Sequence, residues 1–163
     1  MFSYEASILN SVKYLYLRGL SEPSDNSLKI VVQEAIANHS RPLSLDPHLD
    51  PYLVRIREGR SLIESTEACR SFELYWEHYV AYLVTEECAG SCGNYKDEEY
   101  AGQLFRIYSK SHFLDHISRN TGAHAKPVQH YKVACLNHLI DIGAYEPPQI
   151  RLIEPGNASF RIH

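Results

Sequence analysis

The sequence predicts an α+β fold, with N-terminal helices packed on one face of a mostly antiparallel sheet of about four strands and one helix inserted between strands. Two observations carry this. Apolar residues in the first 60 positions recur three and four apart, as on a helix face. From Phe72 onward they alternate instead, which is the period of a strand.

Ile8, Leu9, Val12, Leu15 and Tyr16 suggest a first helix stopped at Gly19. Ser21 to Asp25 reads as a turn. Leu28, Val31, Val32, Ala35 and Ile36 fit an amphipathic helix ended by Pro42. Asp46-Pro47 and Asp50-Pro51 each pair a capping acceptor with a proline. A short third helix through Tyr52, Leu53 and Ile56 would then close at Gly59.

Phe72, Leu74, Trp76, His78, Val80, Tyr82 and Val84 share one parity with no turn former between them, so one long strand is expected, bent at most. A loop spans Glu86 to Glu99, and Tyr100 to Tyr108 is a second strand. Ser109 or Ser111 would cap a helix near 111–121, stopped at Gly122. Val128 to Ile142 is a long strand candidate, and Gln149 to Ile153 a short final one. The chain is expected to be a single domain over 1–163: a helical part at 1–60, a sheet part at 70–153, and a C-terminal arm at 154–163.

Composition limits the function classes. Of 163 residues, 44% are hydrophobic and 22% charged, ordinary for a globular protein. No apolar run approaches the roughly 18 residues of a spanning helix. Met1 to Glu5 shows no basic start of a secretory signal, so a cytoplasmic location and four reduced thiols are expected. Net charge is −4, unevenly spread: residues 61–100 hold two basic groups against nine acidic ones. An acidic middle argues against nucleic acid and suits a basic partner. Twelve tyrosines suit half-buried sheet faces and interfaces, including those of a homodimer.

Three constellations could carry chemistry. Cys88 and Cys92 flank a Gly-rich loop but lack a second close pair of ligands, and their spacing is one residue longer than the common redox motif. His112 and His116 sit four apart on the expected helix and share a face. His130 and His138, eight apart on one expected strand, would share a face and could approach His78. Metal binding or hydrolysis built on this His/Cys set, with Cys92 or Asp141 as nucleophile or orienting group, is the alternative reading. Finally, Glu86, Glu87, Asp97, Glu98 and Glu99 would meet across a hairpin loop, with Tyr95 and Tyr100 as aromatic anchors. No phosphate loop, dinucleotide fingerprint or nucleophile elbow is present. The residues therefore favour a small non-enzymatic protein-binding module without a cofactor, for example an immunity-type inhibitor of a basic toxin or enzyme, with the acidic loop as its contact.

Overall fold

A computed structural model describes residues 2–42, 61–90, 96–122 and 126–153. It overturns the expected α+β architecture. The chain forms two five-stranded antiparallel sheets and only short helices. None of the helices among the described residues is long and apolar enough to cross a membrane.

Helix α1 (Tyr4–Ser11) is capped by Ser3, whose hydroxyl accepts from the Ala6 amide at 3.2 Å. It buries Ala6 and Leu9 and ends at Val12. The expected helix over Ile8 to Gly19 thus stops half-way, and its second half is strand β1 (Tyr14–Ser21). Tyr14, Leu15, Tyr16 and Leu17 fit a pleated surface better than a helix.

The expected helix at 28–36 is strand β2 (Leu28–Pro42). Its misleading spacing has a structural origin. Over Leu28 to Gln33 the strand pairs with β4 (Ser71–Trp76), and over Ile36 to Pro42 it pairs with β3 (Ser61–Glu64). Between the two partners the buried parity switches, from Leu28, Ile30 and Val32 to Gln33 and Ala35. Leu28, Val32 and Ala35 are all buried, and they happen to fall at helical offsets. The expected third helix and the C-terminal arm lie outside the described residues.

The first sheet runs β1-β2-β4-β10, with β3 also on β2 and β10 at Gln149–Ile153, where a final strand was expected. Direct pairs Leu28–Trp76, Ile30–Leu74 and Val32–Phe72 make its buried ladder. The expected long strand through Phe72 to Val84 is cut at Glu77-His78. There the chain leaves the first sheet and becomes β5 (Tyr79–Glu86), an edge of the second.

That sheet runs β5-β9-β8-β7-β6, with β6 at Glu99–Gly102, β7 at Phe105–Lys110, β8 at Gln129–Ala134 and β9 at His138–Ala144. Two expected single strands are hairpins here. Gly102, at φ +98°, turns β6 into β7. Cys135 to Asn137 turn β8 into β9, and Asn137 docks on β1, accepting from the Leu17 amide at 2.9 Å and donating to its carbonyl at 3.2 Å. Phe105, Tyr131, Val133, Ile140 and Ile142 face the first sheet in one shared core, where Trp76 lies 6.0 Å from Tyr131.

Short helix α2 (Glu87–Gly90) follows β5. Helix α3 (His112–Asn120), the inserted helix the sequence predicted, joins β7 to β8 and packs on β8 and β9. Ile117 lies directly over Gly143, where a Cβ would collide with it.

Candidate functional site

The outer face of the second sheet carries polar side chains that are nearly as buried as the core. Alternation along β8 sends Tyr131 and Val133 inward, so His130 and Lys132 point outward. On β9, Asp141 lies between inward Ile140 and Ile142 and pairs directly with Lys132. Side-chain exposure is 1% for His130, 7% for Lys132 and 11% for Asp141.

These groups form one hydrogen-bonded chain. Ser111, the N-cap of α3, accepts from the Leu114 amide at 3.1 Å and lies 2.8 Å from Nδ1 of His130. Nε2 of His130 lies 2.8 Å from Oδ1 of Asp141. The same Oδ1 is 3.1 Å from Nζ of Lys132. The Asp141 carboxylate only accepts, so His130 donates to it from Nε2; in the neutral ring Nδ1 then accepts the Ser111 hydroxyl proton, while Ser111 still accepts from the Leu114 amide. One neutral tautomer satisfies every partner. Burial pulls the Lys132 ammonium towards neutrality, but the Asp141 carboxylate and the Tyr108 and Glu98 groups outweigh it and raise its pKa. His130 is held between the Tyr108 ring, stacked at 4.2 Å, and Phe113 at 5.0 Å.

The connectivity Ser–His–Asp matches that of a nucleophilic relay, but its ends are reversed in accessibility. Ser111 is 3% exposed and serves as a helix cap, so it presents no nucleophile. His130 is fully buried. Only Asp141 reaches a cavity, of about 480 Å³, which it lines with Lys132, Glu98, His112, Phe113 and His116. No hydrogen bond from the described residues reaches the second oxygen of Asp141. Glu98 accepts from the His112 amide at 3.0 Å through Oε1, while its buried Oε2 has no hydrogen-bond partner among the described residues.

His112 and His116 share a face and a cavity, with Nε2 of His112 bonded to Asp97 at 2.9 Å and Nδ1 of His116 near the Asn120 amide at 3.3 Å. His130 lies directly below, on Asp141. His138 does not join it: the two histidines occupy different strands, and half-buried His138 sits opposite Glu86 at the far end of β9. His78 is exposed and lines a separate cavity of about 240 Å³ with Tyr75 and Glu146. Cys88 is exposed at α2, and a hydrogen bond to Glu86, with the charges of Glu86 and Glu87, raises its thiol pKa. Cys92 and Tyr95 lie outside the described residues. Among those described, no group of three His, Cys, Asp or Glu side chains is placed to hold a metal ion.

The acidic residues do not meet across a hairpin. β5 and β6 are opposite edges of the sheet and form no hairpin, although Glu87, beyond the end of β5, lines one cavity with Tyr100 of β6. Glu86 accepts from the Ala89 amide at 3.1 Å, and Asp97 and Glu98 hold the start of α3 through His112. Lys132 went unnoticed in the sequence, although a signal exists. Lys132 and Asp141 are single charges inside apolar strand runs, a position that calls for a buried partner. Comparison with protein-family models, curated proteins and solved structures finds no match to this chain.

Proposed function

We propose that the chain is a non-enzymatic protein-binding module whose carboxylate-lined cavity receives a basic side chain from a protein partner. An immunity-type inhibitor of a basic toxin or enzyme is the concrete form of this reading. The observation that carries it is the presence of Glu98 and Asp141 in one cavity, with Glu98 Oε2 buried and lacking a hydrogen-bond partner among the described residues. An unpaired buried carboxylate oxygen is costly, and a turn of the Glu98 carboxylate would present it to an entering ammonium or guanidinium.

Other features support the same partner. The charge of Lys132 is already matched by Asp141, which leaves Glu98 for the ligand. Tyr82, Leu83 and Phe113 offer apolar wall to the methylene stem of a lysine or arginine. The segment from 61 to 100 is strongly acidic, which would speed approach of a basic protein. Catalysis is disfavoured by the chemistry of the relay, since its serine caps a helix and its aspartate carries two donors on one oxygen.

The test is titration of isotope-labelled protein with N-acetyl-arginine amide, followed by NMR. Shifts at Leu83, Phe113 and His116 that vanish in Glu98→Gln are expected. No shift at millimolar probe, or shifts that persist in Glu98→Gln, would remove the reading.

A further inference from the structure

On the other side of Lys132 lies a second cavity, of about 430 Å³, with the opposite electrostatic character. Its lining brings together Lys13, Arg106 and Lys132. Each of these cations lies over a tyrosine ring of the same lining: Lys13 over Tyr14 at 5.3 Å, Arg106 over Tyr100 at 4.6 Å, Lys132 over Tyr108 at 5.5 Å. Among the described residues, the lining holds one carboxylate, Glu87.

The strand register makes this arrangement costly without a ligand. Arg106 on β7 and Lys132 on β8 are direct partners, and like charges facing across a sheet repel. Asp141 answers Lys132 from the far side, on β9. Arg106 receives no carboxylate among the described residues; its Nε donates to the Gln103 carbonyl at 2.8 Å. Lys13 is exposed and likewise has no carboxylate within ion-pair distance among the described residues. Asp141 already balances Lys132, so Lys13 and Arg106 against Glu87 leave a surplus of one positive charge, which suits an anion.

The ring component of the site is equally defined. Tyr100, Tyr108 and His130 are consecutive cross-strand partners on β6, β7 and β8. Tyr100 and Tyr108 lie 4.9 Å apart and Tyr108 stacks on His130 at 4.2 Å, so the three form a ladder. Its inner end is buried. Its outer end, Tyr100, is 48% exposed and presents ring surface at the cavity.

We infer that this cavity binds a small phosphate-type anion carrying a flat ring, with Lys13, Arg106 and Lys132 on the anion and Tyr100 against the ring. A phosphate monoester is anionic at neutral pH and brings three strong acceptor oxygens for the donors of Arg106, Lys13 and Lys132. The size of the cavity is within the range of about 300–1,000 Å³ usual for small-ligand sites. The inference is independent of the protein-binding reading, because it uses the opposite side of Lys132 and none of Glu98, Phe113 or His116.

The test is isothermal titration with three probes: phenyl phosphate, inorganic phosphate and phenol. Phenyl phosphate is expected to bind more tightly than either other probe. Arg106→Gln, a half-exposed position whose loss leaves the core untouched, should weaken phenyl phosphate roughly tenfold or more, as expected for a lost charged hydrogen bond. Tyr100→Ala should weaken phenyl phosphate and leave inorganic phosphate unchanged. Absence of phenyl phosphate binding, or binding that Arg106→Gln does not reduce, overturns the inference. Inorganic phosphate binding as tightly as phenyl phosphate overturns the ligand class.

Discussion

The side chain of Asn10 bonds both backbone polar groups of Phe105, 95 residues away: Nδ2 donates to the carbonyl at 3.0 Å and Oδ1 accepts from the amide at 2.9 Å. The same Oδ1 also accepts from the Gln103 and Leu104 amides, each at 2.9 Å. One residue at the end of α1 thereby fixes the turn between β6 and β7. Asn10→Ala would strip three amides and a carbonyl of their partner, at a cost of about 2 kcal/mol or more. Asn10→Asp keeps the acceptor and loses only the donor, so it should be the milder change. Urea unfolding of both variants checks the order, and equal stabilities would show that water replaces the asparagine without penalty.

The pairing of Lys132 with Asp141 leads to a second expectation. Asp141→Asn leaves a buried ammonium without its counter-charge, and breaking a buried pair from one side costs about 3–5 kcal/mol. Lys132→Met removes the charge itself and preserves the bond from His130 to Asp141, so it should cost clearly less. If the two variants unfold at the same denaturant concentration, the ammonium is not what Asp141 serves.

Thiol chemistry gives a third test. Burial pushes the Cys135 thiol pKa up to about 12, so it presents no thiolate at neutral pH, and Cys69 is buried away from a reagent in solution. Cys88 is exposed, but its pKa is raised through the hydrogen bond to Glu86 and the nearby acids. In the native protein an aromatic disulfide reagent should modify Cys88 well before Cys69 or Cys135, which should become reactive only on unfolding. Peptide mapping of the modified cysteines reads this directly. Prompt native labelling of Cys135 would mean that the turn between β8 and β9 opens.

Local signals in the sequence were readable where one element answers to one environment. Ser111 capping α3 and the short strand at Gln149 to Ile153 are of this kind. The N-terminal half was misread because β2 serves two partners in turn, and the resulting change of buried parity imitates a helix face. The β-branched run Ile30, Val31, Val32 was the contrary clue. Strand breaks at Glu77-His78 and at Leu136-Asn137 contain no glycine or proline, so alternation ran on across them. The site depends on those breaks. Only after the hairpin forms does His130 face Asp141, and only after the chain changes sheets does Leu83 line the cavity beside it. His112 and His116 sharing a face needed nothing beyond the helix, and that much was legible.

Acid should weaken the first sheet through Glu34 and Arg70. The Arg70 guanidinium donates Nε and Nη2 to the two oxygens of Glu34, each at 2.8 Å, and the Glu34 amide donates to the Arg70 carbonyl at 2.8 Å. The side-chain bond from Arg70 lowers the carboxyl pKa below its ordinary value near 4.5; partial burial opposes this and the guanidinium charge adds to it. The folded protein therefore binds this proton less readily than the unfolded chain. The stabilisation is fully present above the ordinary value and is lost as pH falls through the lower, folded one. Glu34→Gln, which cannot ionise, should be less stable than the native protein near about pH 7, and the gap should close towards about pH 3. Unfolding free energies of the two proteins across that interval decide the matter. A gap that stays constant would mean that Glu34 and Arg70 act as neutral hydrogen-bond partners, with the charge contributing nothing.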